Sequence, residues 1–284
     1  MRFTALSLVI AFVASAFLCE PAVAQADYFQ QTVDHQIAVA LDDAEHMLRG
    51  DIATRYTNNS GDTLEFIWIH LWPNAYKNGQ TALAQQKFRQ GEMFMFWALQ
   101  RDLGGIDSLD FAVDGVSAEW AYHPEHIDIA KLTLPKPLAP GESLEYTTPF
   151  RVQLPSGKIS RLGHIGESYQ ITQWYPKPAV YDRDGWHEMP YLNQGEFYSE
   201  YGSFDVEITL PKNYVVGATG DFDPTWADNQ IEEVFLDSIA LATARRIDAA
   251  EFDDLELKPD SVNAFPMSAT ETKTLRYRQD NVHD

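Results

Sequence analysis

Cysteine is nearly missing from this 284-residue chain, and basic residues are scarce. The one cysteine, Cys19, falls in the apolar leader described below, so a disulfide-built fold is excluded and a packed core must supply stability. Lys and Arg total 21 against 42 Asp and Glu, a formal net charge of −21. That balance repels phosphates and anionic headgroups, so neither nucleic acid nor a membrane surface is expected as a partner. No serine sits in a G-x-S-x-G elbow, and Gly217-Ala218-Thr219-Gly220 lacks the lysine of a phosphate loop. No repeat of fixed period and no βαβ alternation occur, which excludes a propeller and a doubly wound α/β sheet.

Long apolar runs are limited to one, Ala5 to Leu18, preceded by Arg2 and followed by Ala22-Val23-Ala24. A positive start, a short apolar run and a small-x-small site make a secretory signal peptide, cut after Ala24. The run is shorter than the roughly 20 residues of a membrane span. Residues 1–24 are therefore read as leader and 25–284 as the exported part, periplasmic or secreted. Apolar residues make up 45% of the chain, enough for a real core.

The remainder reads as strands. His35 to Leu41, Leu48 to Tyr56 and Leu64 to Trp72 alternate or are rich in β-branched and aromatic residues. Leu109 to Val113 meets the hairpin cue Asp114-Gly115 and continues from Val116 to Tyr122. Further strands are expected at Ile127 to Leu134, Leu144 to Leu154, Tyr169 to Tyr175, Phe204 to Leu210, Tyr214 to Ala218, Ile231 to Phe235 and Lys273 to Arg278. Phe204 to Leu210 is the cleanest alternation of all. Thr81 to Arg101 holds good helix formers and predicts one or two short helices weakened at Gly91. Residues 251–272 read as an exposed loop. The fold class is all-β: a large antiparallel β-sandwich or saddle with a short helical insertion.

Candidate metal ligands do not converge in the sequence. His187-Glu188-Met189-Pro190-Tyr191 begins like a zinc helix motif, but Tyr191 stands where the second histidine is needed and Pro190 would break the helix. His123-Pro124-Glu125-His126 reads as a polar loop without a third ligand. His70 lies in an apolar strand and reads as a core or edge histidine. Asp182-Arg183-Asp184-Gly185 is a turn without the later ligands of a calcium loop. No metal site is expected here. The aromatics from Trp174 to Phe204, with Glu188, Glu196 and Glu200 among them, make a surface half apolar and half acidic.

Gln173-Trp174-Tyr175-Pro176-Lys177-Pro178-Ala179-Val180-Tyr181-Asp182, then Gly185-Trp186-His187 and Glu196-Phe197-Tyr198, resemble a bacterial branch of the aminopeptidase N family of zinc metallopeptidases, the gluzincins. Glu200-Tyr201-Gly202-Ser203-Phe204-Asp205-Val206, Tyr214-Val215-Val216 and Ala218-Thr219-Gly220 continue the likeness. Asn281-Val282-His283-Asp284 resembles the junction into that family's catalytic domain. The resemblance implies that 25–284 is the family's amino-terminal β domain, ending where the catalytic domain would begin. It implies zinc for the full-length parent and none in this chain, which is predicted inactive alone. It implies a polar side chain touching the peptide substrate, best matched by Gln173 and then Gln170; a glutamine satisfied within the sheet is the other reading. Trp174, Tyr175, Tyr181 and Trp186 are the expected interface with the catalytic domain, the chain's expected partner. The alternative is a stand-alone secreted β-sandwich that binds carbohydrate or protein through the same aromatics.

Overall fold

A computed structural model describes residues 28–195, 197–249 and 266–283. The expected leader with Cys19, Glu196, Asp284 and most of the loop expected over 251–272 lie outside the described residues.

Seven long strands carry the fold: β1 (Thr32–Asp42), β2 (Met47–Thr57), β3 (Leu64–His70), β4 (Ile129–Leu138), β5 (Ser143–Gln153), β6 (Tyr201–Pro211) and β7 (Thr272–His283). The main sheet runs in space as Asp221–Phe222, β7, β6, β1, β2, β5, Ala112–Val113 and Val116–Ser117, with Gly105–Asp107 also on β5. The second sheet runs as Lys177–Pro178, β3, β4 and Trp120–Tyr122. This is the all-β architecture the sequence predicts.

Period-two alternation decides which face is covered. Val33, His35, Ile37 and Val39 of β1 are buried, as are Leu48, Ile52, Thr54 and Tyr56 of β2. Leu144, Tyr146, Thr148, Phe150 and Val152 do the same on β5. These faces join Leu64, Ile67 and Ile69 of β3 and Leu132 of β4 in one continuous core. Each fully buried aliphatic side chain contributes about 2 kcal/mol by leaving water. The hairpin expected at Asp114-Gly115 forms, with both residues at positive φ (49° and 78°).

The sandwich is not wholly antiparallel. β6 pairs with β1 in parallel, Val39 opposite Ile208, after a connection that contains the whole second sheet. Gly202 makes this join feasible: a Cβ there would stand 1.7 Å from the Val33 carbonyl oxygen. Beyond it β6 and β7 pair antiparallel, with a register shift between Gly202 and Phe204. Arg276 of β7 grips Asp205 of β6 through two bonds of 2.7 Å.

The helical insertion appears as α1 (Ala82–Arg89) and α2 (Phe94–Trp97). Thr81 caps α1, its hydroxyl oxygen accepting from the Ala84 N–H at 3.3 Å. The strand expected at Ile231 to Phe235 is instead part of α3 (Ala227–Ala249). Read alone, those five residues look like a strand. The full run is rich in Ala, Leu, Glu and Arg, and Asp228 in the first turn complements the helix dipole.

Side chains around the start of α3 bond directly to the outer backbone of β7. Asp228 accepts from the Thr274 N–H at 2.7 Å, Asn229 both accepts from and donates to the Arg276 backbone, and the Trp226 indole donates to the Thr274 carbonyl. Glu232 meets Lys273 at 2.6 Å, both buried. Past this anchor the helix is exposed, with Val234 and Leu241 each more than half accessible.

Candidate functional site

Two further expected strands take other shapes, and both shape the site. Of the stretch 169–175 only Tyr169 and Gln170 are in a ladder, in the short strand Ser168–Gln170 that pairs with Gly163–Ile165. The chain then turns at Gln173, whose φ of 52° lies in the left-handed region and ends the extended run. Residues 214–218 form no strand; the Tyr277 hydroxyl donates to the Val216 carbonyl at 3.0 Å and holds them as a wall.

Between these walls lies a cavity of about 750 Å³. Its floor is apolar, built from Ile37 and Val39 of β1, Leu48 of β2, and Phe204, Val206 and Ile208 of β6. Gln173 and Trp174 line one side, Tyr214 and Glu167 another. The Tyr214 hydroxyl stands 2.9 Å from Asp43 Oδ2 and 3.2 Å from Glu167 Oε2, its one proton shared between two carboxylates, so the rim is acidic.

The turn at Gln173 sorts its neighbours. Trp174 packs its ring on Phe150, with centroids 5.8 Å apart, and stays half-buried. Tyr175 goes inward, 4% exposed, its ring edge-on to His35 at 5.3 Å and to Phe204 at 6.1 Å. Lys177 sits in the strand opposite His70 and is buried. Its ammonium donates to Gln173 Oε1 and to Ser199 Oγ, the latter at 3.2 Å, and stands 4.2 Å over the Trp72 ring. Those contacts offset the large cost of burying a charge. His70 stacks on Trp72 at 4.5 Å and accepts from the Met189 N–H at 3.3 Å. Burial, reinforced by the nearby Lys177 charge, holds His70 well below its ordinary pKa, so it is neutral.

Tyr181 and Trp186 face each other across a two-strand hairpin, both half-buried. The Tyr181 hydroxyl donates to Asp62 at 2.8 Å, and Trp186 stacks near Phe66 at 5.9 Å. His187 and Tyr198 both bond Asp182, at 2.8 and 3.0 Å. Burial pushes the Asp182 carboxyl up, but the bonds from His187, the Asp184 N–H and Tyr198 outweigh it and leave the group below its usual range. Glu200 accepts from the Tyr181 N–H at 3.2 Å. Its burial drives the carboxyl up to about 7, against the opposing pull of the Tyr181 and Gln31 backbone N–H groups.

The structure thus brings Gln173, Trp174 and Tyr175 to the cavity wall, with Tyr181 and Trp186 on a separate hairpin. Gln170 is exposed on its own hairpin and does not line the cavity. Among the described residues no group of three or more His, Asp or Glu side chains is placed to hold a metal ion. His123 and His126 stack on one another, centroids 5.3 Å apart. Sequence reasoning missed the apolar floor, because the parallel join of β1 and β6 leaves no local signal. It also passed over Lys177, whose one cue is a lysine between prolines in an aromatic run.

No protein-family profile and no curated protein matches the chain. Among solved structures, it is similar to an M1 zinc metallopeptidase mutant from Deinococcus radiodurans bound to Tyr-Ser-Ala substrate, at 14% identity and TM-score 0.41, covering 88% of this chain and 39% of that one. It is also similar to the M1 zinc metallopeptidase from Deinococcus radiodurans, at 16% identity and TM-score 0.41, covering 91% and 40%. The chain spans about two-fifths of the length of these structures.

Proposed function

We propose that this chain is the exported, non-catalytic β domain of a zinc aminopeptidase-like protein, docking on a catalytic domain and shaping its substrate cleft. One observation carries the reading. Parts of the segments that resemble the aminopeptidase N family, Gln173 to Tyr175, Phe204 and Val206, and Tyr214 to Thr219, are scattered over the sequence yet line one cavity. Trp174 is half-buried at the cavity wall, and Tyr181 and Trp186 are half-buried on a separate hairpin. Half-buried aromatics of this kind favour a docking surface, where an apolar ring face is covered on association. The catalytic zinc and the peptide substrate belong, on this reading, to the assembled protein. This chain's own part is to position and to exclude water.

Sequencing the gene past codon 284 tests the reading. An open frame carrying H-E-x-x-H and a distant glutamate is expected; a stop codon there overturns it. Export is checked by the mass of the mature product, expected to begin at Gln25. Once the catalytic segment is in hand, Trp174→Ala and Trp186→Ala should each weaken docking by about tenfold, as buried aromatic anchors do.

A further inference from the structure

Helix α3 leaves its anchor with nothing over it among the described residues. Its first two turns are tied to β7 through Asp228, Asn229 and Glu232. From Asp237 to Ala249 every residue is exposed. Along the helix Val234, Phe235, Ile239, Leu241 and Ile247 keep large apolar side chains in water, each at least 44% accessible. A free helical stretch of about a dozen residues is marginal in water, and apolar side chains strung along it call for a cover.

The charges say what the cover is. Asp228 and Glu232 are already bonded to β7. Glu233 and Asp237 in the front half, and Arg245 and Arg246 in the rear half with Asp248 beyond them, are exposed and in no ion pair among the described residues. A uniformly acidic or basic partner would meet like charge at one end. A second α3 laid antiparallel does not: crossing near Ala240, it brings Arg245 and Arg246 of each copy alongside Glu233 and Asp237 of the other. Around that crossing Ser238, Ala240, Ala242 and Ala244 are small, so two helices can approach closely, with Ile239 and Leu241 meeting their counterparts. The contact is two-fold and closes on itself. A net charge of −21 opposes association in general, so local complementarity decides which contact survives.

We infer that α3 is a self-association surface, on which two copies of this chain pair through antiparallel helices. This goes beyond the docking reading and uses neither the cavity nor the Tyr181–Trp186 hairpin.

The test is sedimentation equilibrium of the purified chain at about 0.15 M salt. A reversible dimer is expected. Two double variants split the charges: Glu233→Arg with Asp237→Arg, and Arg245→Asp with Arg246→Asp. Each alone sets like charge on like at both ends and should dimerise at least about tenfold more weakly. An equimolar mixture of the two restores every opposite pair and should form a heterodimer at least as tight as the original dimer. Because all four positions are exposed, and because the mixture must recover pairing, misfolding cannot mimic this pattern. A chain that stays monomeric, double variants that dimerise as well as the original, or a mixture that does not pair would overturn the inference. None of these outcomes bears on whether a catalytic segment follows codon 284.

Discussion

β2 and β6 are both eleven residues long and both alternate in sequence, yet they live in different surroundings. Every second residue of β2 from Leu48 to Tyr56, except Gly50, is buried, and Leu48, Ile52 and Tyr56 belong to the continuous core. From Ser203 to Thr209, β6 is half-exposed on both faces. Phe204, Val206 and Ile208 share a face but look into the cavity. Alternation therefore tells which side chains share a face; what lies over that face is a long-range fact. The β6 margin is held instead by ions, with Lys273 on Glu232 and Arg276 on Asp205.

If that contrast is right, the largest effect should come from an ion at the margin. Lys273→Met leaves the Glu232 carboxylate buried and unanswered, and should cost about 4 kcal/mol in urea unfolding. Adding Glu232→Leu should restore most of it; failure to do so would show that α3 is held by something else. Next, Ile52→Ala in the covered body should cost about 3 kcal/mol, and Ile208→Ala at the cavity about 1 kcal/mol. Equal costs would break the comparison.

Glu200 adds a pH signature between the two regions. Its carboxyl is raised to about 7 in the folded chain from an ordinary value near 4.5, so the folded state holds the proton more tightly than the unfolded one. Stability from this group is fully present below about pH 4.5 and is lost as pH rises through 7. Glu200→Gln should remove that slope and stabilise the chain at pH 8 by on the order of 2 kcal/mol. An unchanged pH profile would rule the group out. The smallest effect is expected at the exposed pair Lys212–Glu271, where Lys212→Ala should change stability by less than about 0.5 kcal/mol.

The long strands were legible because each is written locally: β1, β2, β5 and β6 alternate, and Asp114-Gly115 announces its turn. α3 was not, because a five-residue window such as Ile231 to Phe235 does not separate a strand from a helix, and only the longer run does so. The site was half legible. Gln173 could be named from its motif, but the direction of its amide depends on Lys177, which is buried by the distant Trp72 and Ser199. The cavity floor depends on the parallel meeting of β1 and β6, and no short pattern encodes that.

The side chains of Trp226, Asp228 and Asn229 on β7 also bear on what this chain does in crowded solution. A rim of a sheet whose amides and carbonyls are already answered from within offers no template to a foreign strand. Over Thr274 to Arg276 self-association by sheet extension is thereby closed off.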